Sequence, residues 1–312
     1  MTRLSFALLI VGVAACAPSE NQPVSGSKSG EGVGIVEVVA RDLTLEAPEQ
    51  IESGWTTFRF TNTAPMVHFA VVEKMPEGQG LESHQSEVAP VFQAGLELLG
   101  AGELDAALEK FGELPAWFGE IIFLGGPGLT SPGKTSEATV YLEPGTYLLE
   151  CYVKTDGVFH SYNPDPAVYG MVHEFEVTAE ASAAVEPTAT LQIEVSSSGG
   201  IEMTGSPTRG DHTISVHFAD QLVHENFVGH DVHLVQLPEG VDLGVLESWM
   251  DWTQPGGLQT PGPAPFLGGL NEMPAGSTGY FTATLEPGNY AWISEVPGAA
   301  AKGMLKTFQV QP

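Results

Sequence analysis

The chain has 312 residues, 39 of them acidic and 11 basic, giving a net charge of −28 and an isoelectric point near 4.4. So large an acidic excess excludes nucleic acid and anionic lipid headgroups as electrostatic partners. The 42% hydrophobic content is that of a globular chain, and two cysteines are too few for a disulfide framework.

The chain opens with Arg3, an apolar run Leu4–Val13 and small residues before Cys16, the pattern of a secretory signal too short to span a membrane. Val13-Ala14-Ala15-Cys16 resembles a bacterial lipobox, so residues 1–15 are read as a signal peptide and Cys16 as the lipidated first residue. Ala17, where an Asp would retain a lipoprotein at the inner membrane of diderm bacteria, favours the outer membrane. Residues 16–34, rich in Ser, Gly, Pro and Asn, read as a tether. The expectation is a cell-envelope protein, lipid-anchored and facing the periplasm or the cell surface. Cleavage removes Arg3 and no acid, leaving ten basic residues against 39 acidic ones, net −29.

Residues 35–178 form the expected first domain. Gly54–Asn62 has strand composition, and Pro65–Val72 carries His68. Between about 83 and 119 the β pattern breaks. Helices are expected over about Ser86–Leu99, with Val88, Val91, Phe92, Leu96 and Leu99 on one face, and over about Glu103–Leu114, with Leu104, Ala107, Leu108 and Phe111. This insertion reads either as a flap burying its own apolar face or as a lid or docking surface. Gly125-Gly126-Pro127-Gly128 lacks the Lys-Ser/Thr of a phosphate loop and reads as a turn. Then Pro144-Gly145 turns into a strand ending at Cys151, a loop carries His160 and Met171, and Val172–Val177 resumes a strand. Phe58, Phe60, Phe69, Val71, Val140, Leu142 and Phe175 are the expected core.

With Cys16 lipidated, Cys151 has no partner for a disulfide. It is either a ligand or a buried inert thiol. Cys, His and Met together suit copper, since thiolate and thioether favour Cu(I) while imidazole accepts both oxidation states. The pattern resembles the cupredoxins, the blue-copper β-sandwiches, in which an early His joins a strand-end Cys, a His and a Met before the last strand. That resemblance implies His68, Cys151, His160 and Met171 as copper ligands. Eight residues separate Cys151 from His160 and ten separate His160 from Met171, longer loops than the family's usual few.

The chain repeats itself. Met75-Pro76-Glu77-Gly78 recurs as Leu237-Pro238-Glu239-Gly240, Leu142-Glu143-Pro144-Gly145 as Leu285-Glu286-Pro287-Gly288, and Gly170-Met171 as Gly303-Met304. The fold class expected is all-β: two tandem cupredoxin-like Greek-key β-sandwiches, the first with a short helical insertion. Residues 179–188 are the linker and 189–312 the second domain. There Ser294 holds the position of Cys151, and only His233 and Met304 remain of the four ligand types. The second copy reads as degenerate, its other histidines as surface or hydrogen-bonding residues.

Other chemistries lack their parts. There is no Gly-x-Ser-x-Gly, no His-Glu-x-x-His, and none of the His-x-His pairs of multicopper oxidases. The chain is therefore expected not to be an enzyme. One reading is an envelope module binding one copper for electron transfer or copper handling, with a redox or envelope protein as partner. The other is a metal-free binding or scaffold module.

Overall fold

The computed structural model describes residues 34–312. The signal peptide, Cys16 and nearly all of the tether lie outside the described residues. Among the described residues no helix is long and apolar enough to cross a membrane.

The first half contributes β1 (Ile35–Arg41), β2 (Thr44–Glu46), β3 (Gln50–Asn62), β4 (Val71–Lys74), β5 (Ile122–Phe123), β6 (Thr135–Leu142), β7 (Gly145–Glu150), the short pair β8 (Lys154–Thr155) and β9 (Val158–Phe159), and β10 (Val172–Ala181). The second half contributes β11 (Leu191–Ser196), β12 (Gly200–Thr204), β13 (Gly210–Phe218), β14 (Val232–Leu237), β15 (Phe266–Leu270), β16 (Thr278–Leu285), β17 (Gly288–Ile293) and β18 (Leu305–Val310).

Each half is a sandwich of the same order. In the first, β1 pairs parallel with β3 and antiparallel with β2, and β3 pairs antiparallel with β6. The facing sheet runs β10-β7-β4-β5, and the start of β3 reaches across to pair with β10. The second half repeats this as β12-β11-β13-β16 facing β15-β14-β17-β18. Strand alternation carries the pattern, because inward residues must be apolar on every second position. Val36, Val38 and Ala40 are buried on β1, and Phe58 and Phe60 on β3. All seven expected core residues are at most 3% exposed.

Two joints fuse the halves. β16 pairs antiparallel with β6, Phe281 opposite Ala138, so one sheet of each sandwich continues into the other. The second joint is the glycine-rich stretch, which is an extended ribbon rather than a turn. Gly125 and Pro127 accept from the N–H groups of Val72 and Ala70 on one side, while Leu129 accepts from Gly268 and the N–H of Gly128 reaches Gly269 on the other. Gly126 has φ +97°, and a Cβ there would meet the Ala70 carbonyl oxygen at 2.2 Å, so only glycine lets the ribbon lie this close.

The helical insertion is α1 (Leu81–Ser83), a π-helical turn His84–Val88 and α2 (Ala89–Gly100), then α3 (Leu104–Phe111) and a 3₁₀ turn Ala116–Glu120. The first helix starts five residues earlier than the periodicity implies. Ala107 and Phe111 are buried, but Leu104 and Leu108 are exposed. The insertion docks on the second half of the same chain. Phe92 and Phe111 pack against Phe227 and Trp252, ring centroids 5.3–6.1 Å apart, and α4 (Leu243–Met250) leads into that surface.

Candidate metal centre

Three of the four expected ligands, His68, Cys151 and His160, bring their donor atoms together, and Met171 joins them through its backbone bonds to Cys151 and His160. His68 lies just before β4, held by reciprocal backbone bonds with Thr130 on the glycine ribbon. Cys151 follows β7, its N–H donating to the carbonyl of Met171 just before β10. His160 follows β9. His68, Cys151 and Met171 are fully buried and His160 is 3% exposed.

The long loops shorten themselves. Val153 to His160 is a β-hairpin whose two-residue turn, Asp156-Gly157, has positive φ at both positions, 52° and 78°. The His160 N–H closes it onto the Val153 carbonyl. Residues 161–170 close in the same way. The Met171 N–H donates to the His160 carbonyl, and a Cβ on Gly170 would sit 2.1 Å from the Ser161 carbonyl oxygen. Both insertions are pinched at their bases, so the ligands meet as if the loops were short.

Nδ1 of His68 is 3.4 Å from Cys151 Sγ, Nδ1 of His160 is 3.9 Å from it, and the two Nδ1 atoms are 3.2 Å apart. Three donors bound to one trigonal ion at roughly 2.0–2.3 Å stand about 3.5–3.9 Å apart, so the residues fit a His₂Cys ion. Neither imidazole needs both nitrogens elsewhere. His160 Nε2 bonds Thr155 Oγ1 at 2.9 Å, and Thr155 in turn touches Thr260 of the second half at 3.0 Å. Nε2 of His68 has no hydrogen bond of good geometry, although the Asp42 backbone favours its protonated form.

The pocket is buried. Burial pushes the Cys151 thiol up to about 12, against the pull of the Phe69 and Val153 backbone N–H groups. Burial also pushes His68 down to about 4, and burial with His68 beside it pushes His160 down to about 3. The site thus offers two neutral imidazoles and a thiol whose proton a bound cation displaces.

The second half covers the centre. Lys154, 2% exposed, donates from Nζ to the Trp252 carbonyl, and the Gly157 N–H donates to Gln259 Oε1. These clamps on the hairpin were not legible as site residues, since nothing in a Thr or Gln marks contact across domains.

Strand register also revises the internal repeat. Val71–Lys74 pair with β7 as His233–Gln236 pair with β17. His68 therefore corresponds to His230, not to His233. Ser294 donates to the Met304 carbonyl as Cys151 does to that of Met171, and Ala299 stands where His160 does. His233 is instead a structural group: Leu129 N–H donates to its Nδ1, and its Nε2 lies 2.7 Å from Asp231 and 3.1 Å from Glu295. His212, His217 and His233 make hydrogen bonds as expected, whereas His230 is buried with neither ring nitrogen hydrogen-bonded.

No protein-family model matches the chain, and no curated protein matches it. Among solved structures, auracyanin B is 22% identical over 41% of this chain and 94% of its own, with a TM-score of 0.29. A multicopper oxidase is 13% identical over 89% of this chain and 88% of its own, TM-score 0.21. A copper-containing nitrite reductase from Thermus scotoductus SA-01 is 13% identical over 89% of this chain and 61% of its own, TM-score 0.22. The fold is cupredoxin-like in both halves, an assignment that rests on the strand order and register given above. One expectation is corrected. The chain was expected not to be an enzyme, yet the structures that align with 89% of it are enzymes.

Proposed function

We propose that the chain is an envelope-anchored copper protein, holding one copper in its first half through His68, Cys151, His160 and Met171. The convergence of two Nδ1 atoms and one Sγ within 3.9 Å in a buried pocket carries this reading. Copper would supply a one-electron couple. The chain's part is to hold the donors still: His68 on the ribbon, Cys151 between β7 and β10, and His160 on a clamped hairpin. Rigid donors suited to both oxidation states keep the reorganisation between them small. Electron transfer or copper handling is the activity this supports, with a redox protein of the envelope as partner.

One equivalent of copper added to the purified protein should survive desalting and produce an intense thiolate-to-copper absorption, absent in Cys151→Ser. Copper lost on desalting overturns the reading. The anchoring rests on the Val13–Cys16 pattern and the tether. Radiolabelled fatty acid should enter the wild-type protein in a bacterial host and not Cys16→Ala; equal labelling of both removes the lipid anchor.

A further inference from the structure

A cavity of about 70 Å³ lies between the helical insertion and the two halves. One wall is aromatic, including Phe92, Phe118, Phe227 and Trp252. The floor carries three carboxylates: Glu73 on β4, Glu150 at the end of β7, and Glu272 just after β15. Among the described residues no Lys or Arg lines it. Carboxylates enclosed without a counter-charge are costly, so protons or a cation must neutralise them.

Glu73 is 2% exposed, and its Oε2 has no hydrogen-bond donor. Oxygens of Glu73 and Glu150 and a ring nitrogen of His84 lie within 4.8 Å of one another. Glu73 thus faces another acceptor. Burial, with Glu150 adding, pushes the Glu73 carboxyl well up.

His84 is not free to bind a cation. The Gln85 amide is fixed at both ends: Oε1 accepts from the Gly170 N–H at 2.7 Å and Nε2 donates to the Ser161 carbonyl at 2.9 Å. It therefore presents an N–H to His84 Nδ1, 3.2 Å away. Nδ1 accepts, the ring proton sits on Nε2, and Nε2 faces Glu150 Oε2 at 3.4 Å. His84 is a positioning residue for Glu150.

We propose that Glu73 and Glu150, with Glu272 across the cavity, hold a hard divalent cation through oxygen alone. The unpartnered Glu73 oxygen is its first ligand, and the cavity has room for the waters such ions keep. Oxygen donors select Mn²⁺, Mg²⁺ or Ca²⁺, whereas the thiolate–imidazole centre selects copper. The two sites therefore sort metals by chemistry, and this site stands independently of the copper reading.

The test uses full-length protein stripped with chelator and titrated with Mn²⁺, free Mn²⁺ being followed by its paramagnetic resonance signal. Wild type and Cys151→Ser should each bind one equivalent. Glu73→Gln and Glu272→Gln should bind at least tenfold more weakly, with unchanged far-ultraviolet circular dichroism. No binding by wild type, or undiminished binding by both glutamine variants, overturns the proposal. Mn²⁺ bound where copper is not retained sinks only the copper centre; copper colour without Mn²⁺ binding sinks only this site.

Discussion

Cys151 shows how much a single residue's neighbours decide. Burial alone makes it an inert thiol, and the two imidazoles facing it are what the copper proposal rests on. The same burial acts on the acids nearby, with consequences for stability. Glu272 is pushed up to about 8, first by burial, with Asp231 and Glu295 adding and the Gly229 N–H opposing. The folded chain then keeps a proton that the unfolded chain loses near 4.5. Its stabilising contribution is present below 4.5 and drains away as the pH rises through 8. His68 and His160 have the opposite sign. Their contributions are present above 6.5 and are lost as the pH falls through about 4 and 3. Metal-free protein should be most stable at mildly acidic pH and lose stability between pH 6.5 and 8. In Glu272→Gln that alkaline decline should be shallower in thermal melts; an unchanged slope contradicts the assignment.

At the scale of elements, the insertion depends on one close approach. Gly95 on α2 faces Phe111 on α3, and a Cβ there would sit 2.2 Å from the ring. Replacing a mid-helix Gly by Ala ordinarily gains up to about 1 kcal/mol, while overpacking a fitted contact costs about 1–3 kcal/mol. Gly95→Ala should therefore destabilise, seen as a lower urea midpoint; a raised midpoint would show that the ring moves aside freely. The periodicity of Val88 and Leu96 announced a helix here, but not that Phe92 would pack against Trp252 of the other half. Strands and the helical insertion were legible because alternation and periodicity are local. That His68, Cys151 and His160 would meet was legible because Cys and His are rare and distinctive. The pinched loops, the glycine ribbon and the three-residue offset that pairs His68 with His230 were not, since each depends on which backbone lies opposite. Glu73 and Glu150 were hidden for another reason: among 39 acids, only burial singles them out.

Over the whole molecule, the second half is a wall of the proposed copper centre rather than an appended copy. Thr260 backs the Thr155–His160 bond, Trp252 accepts from Lys154, and Gln259 caps the hairpin turn. Ser294 and Ala299 stand at its positions corresponding to Cys151 and His160, and it shields the first half's cluster. The joint between β6 and β16, with the ribbon threaded between β4 and β15, also separates covalent from physical continuity. Residues 182–189 form the covalent link and carry no strand, and Val185 is 80% exposed. A protease that cuts there severs the chain without parting the halves, because the β6–β16 pairing and the glycine ribbon still run across the break. Nicked protein should migrate as two fragments on a denaturing gel yet elute as one intact particle and keep its copper colour. Two separate peaks on a sizing column would show that the peptide link, not the shared sheets, holds the halves together.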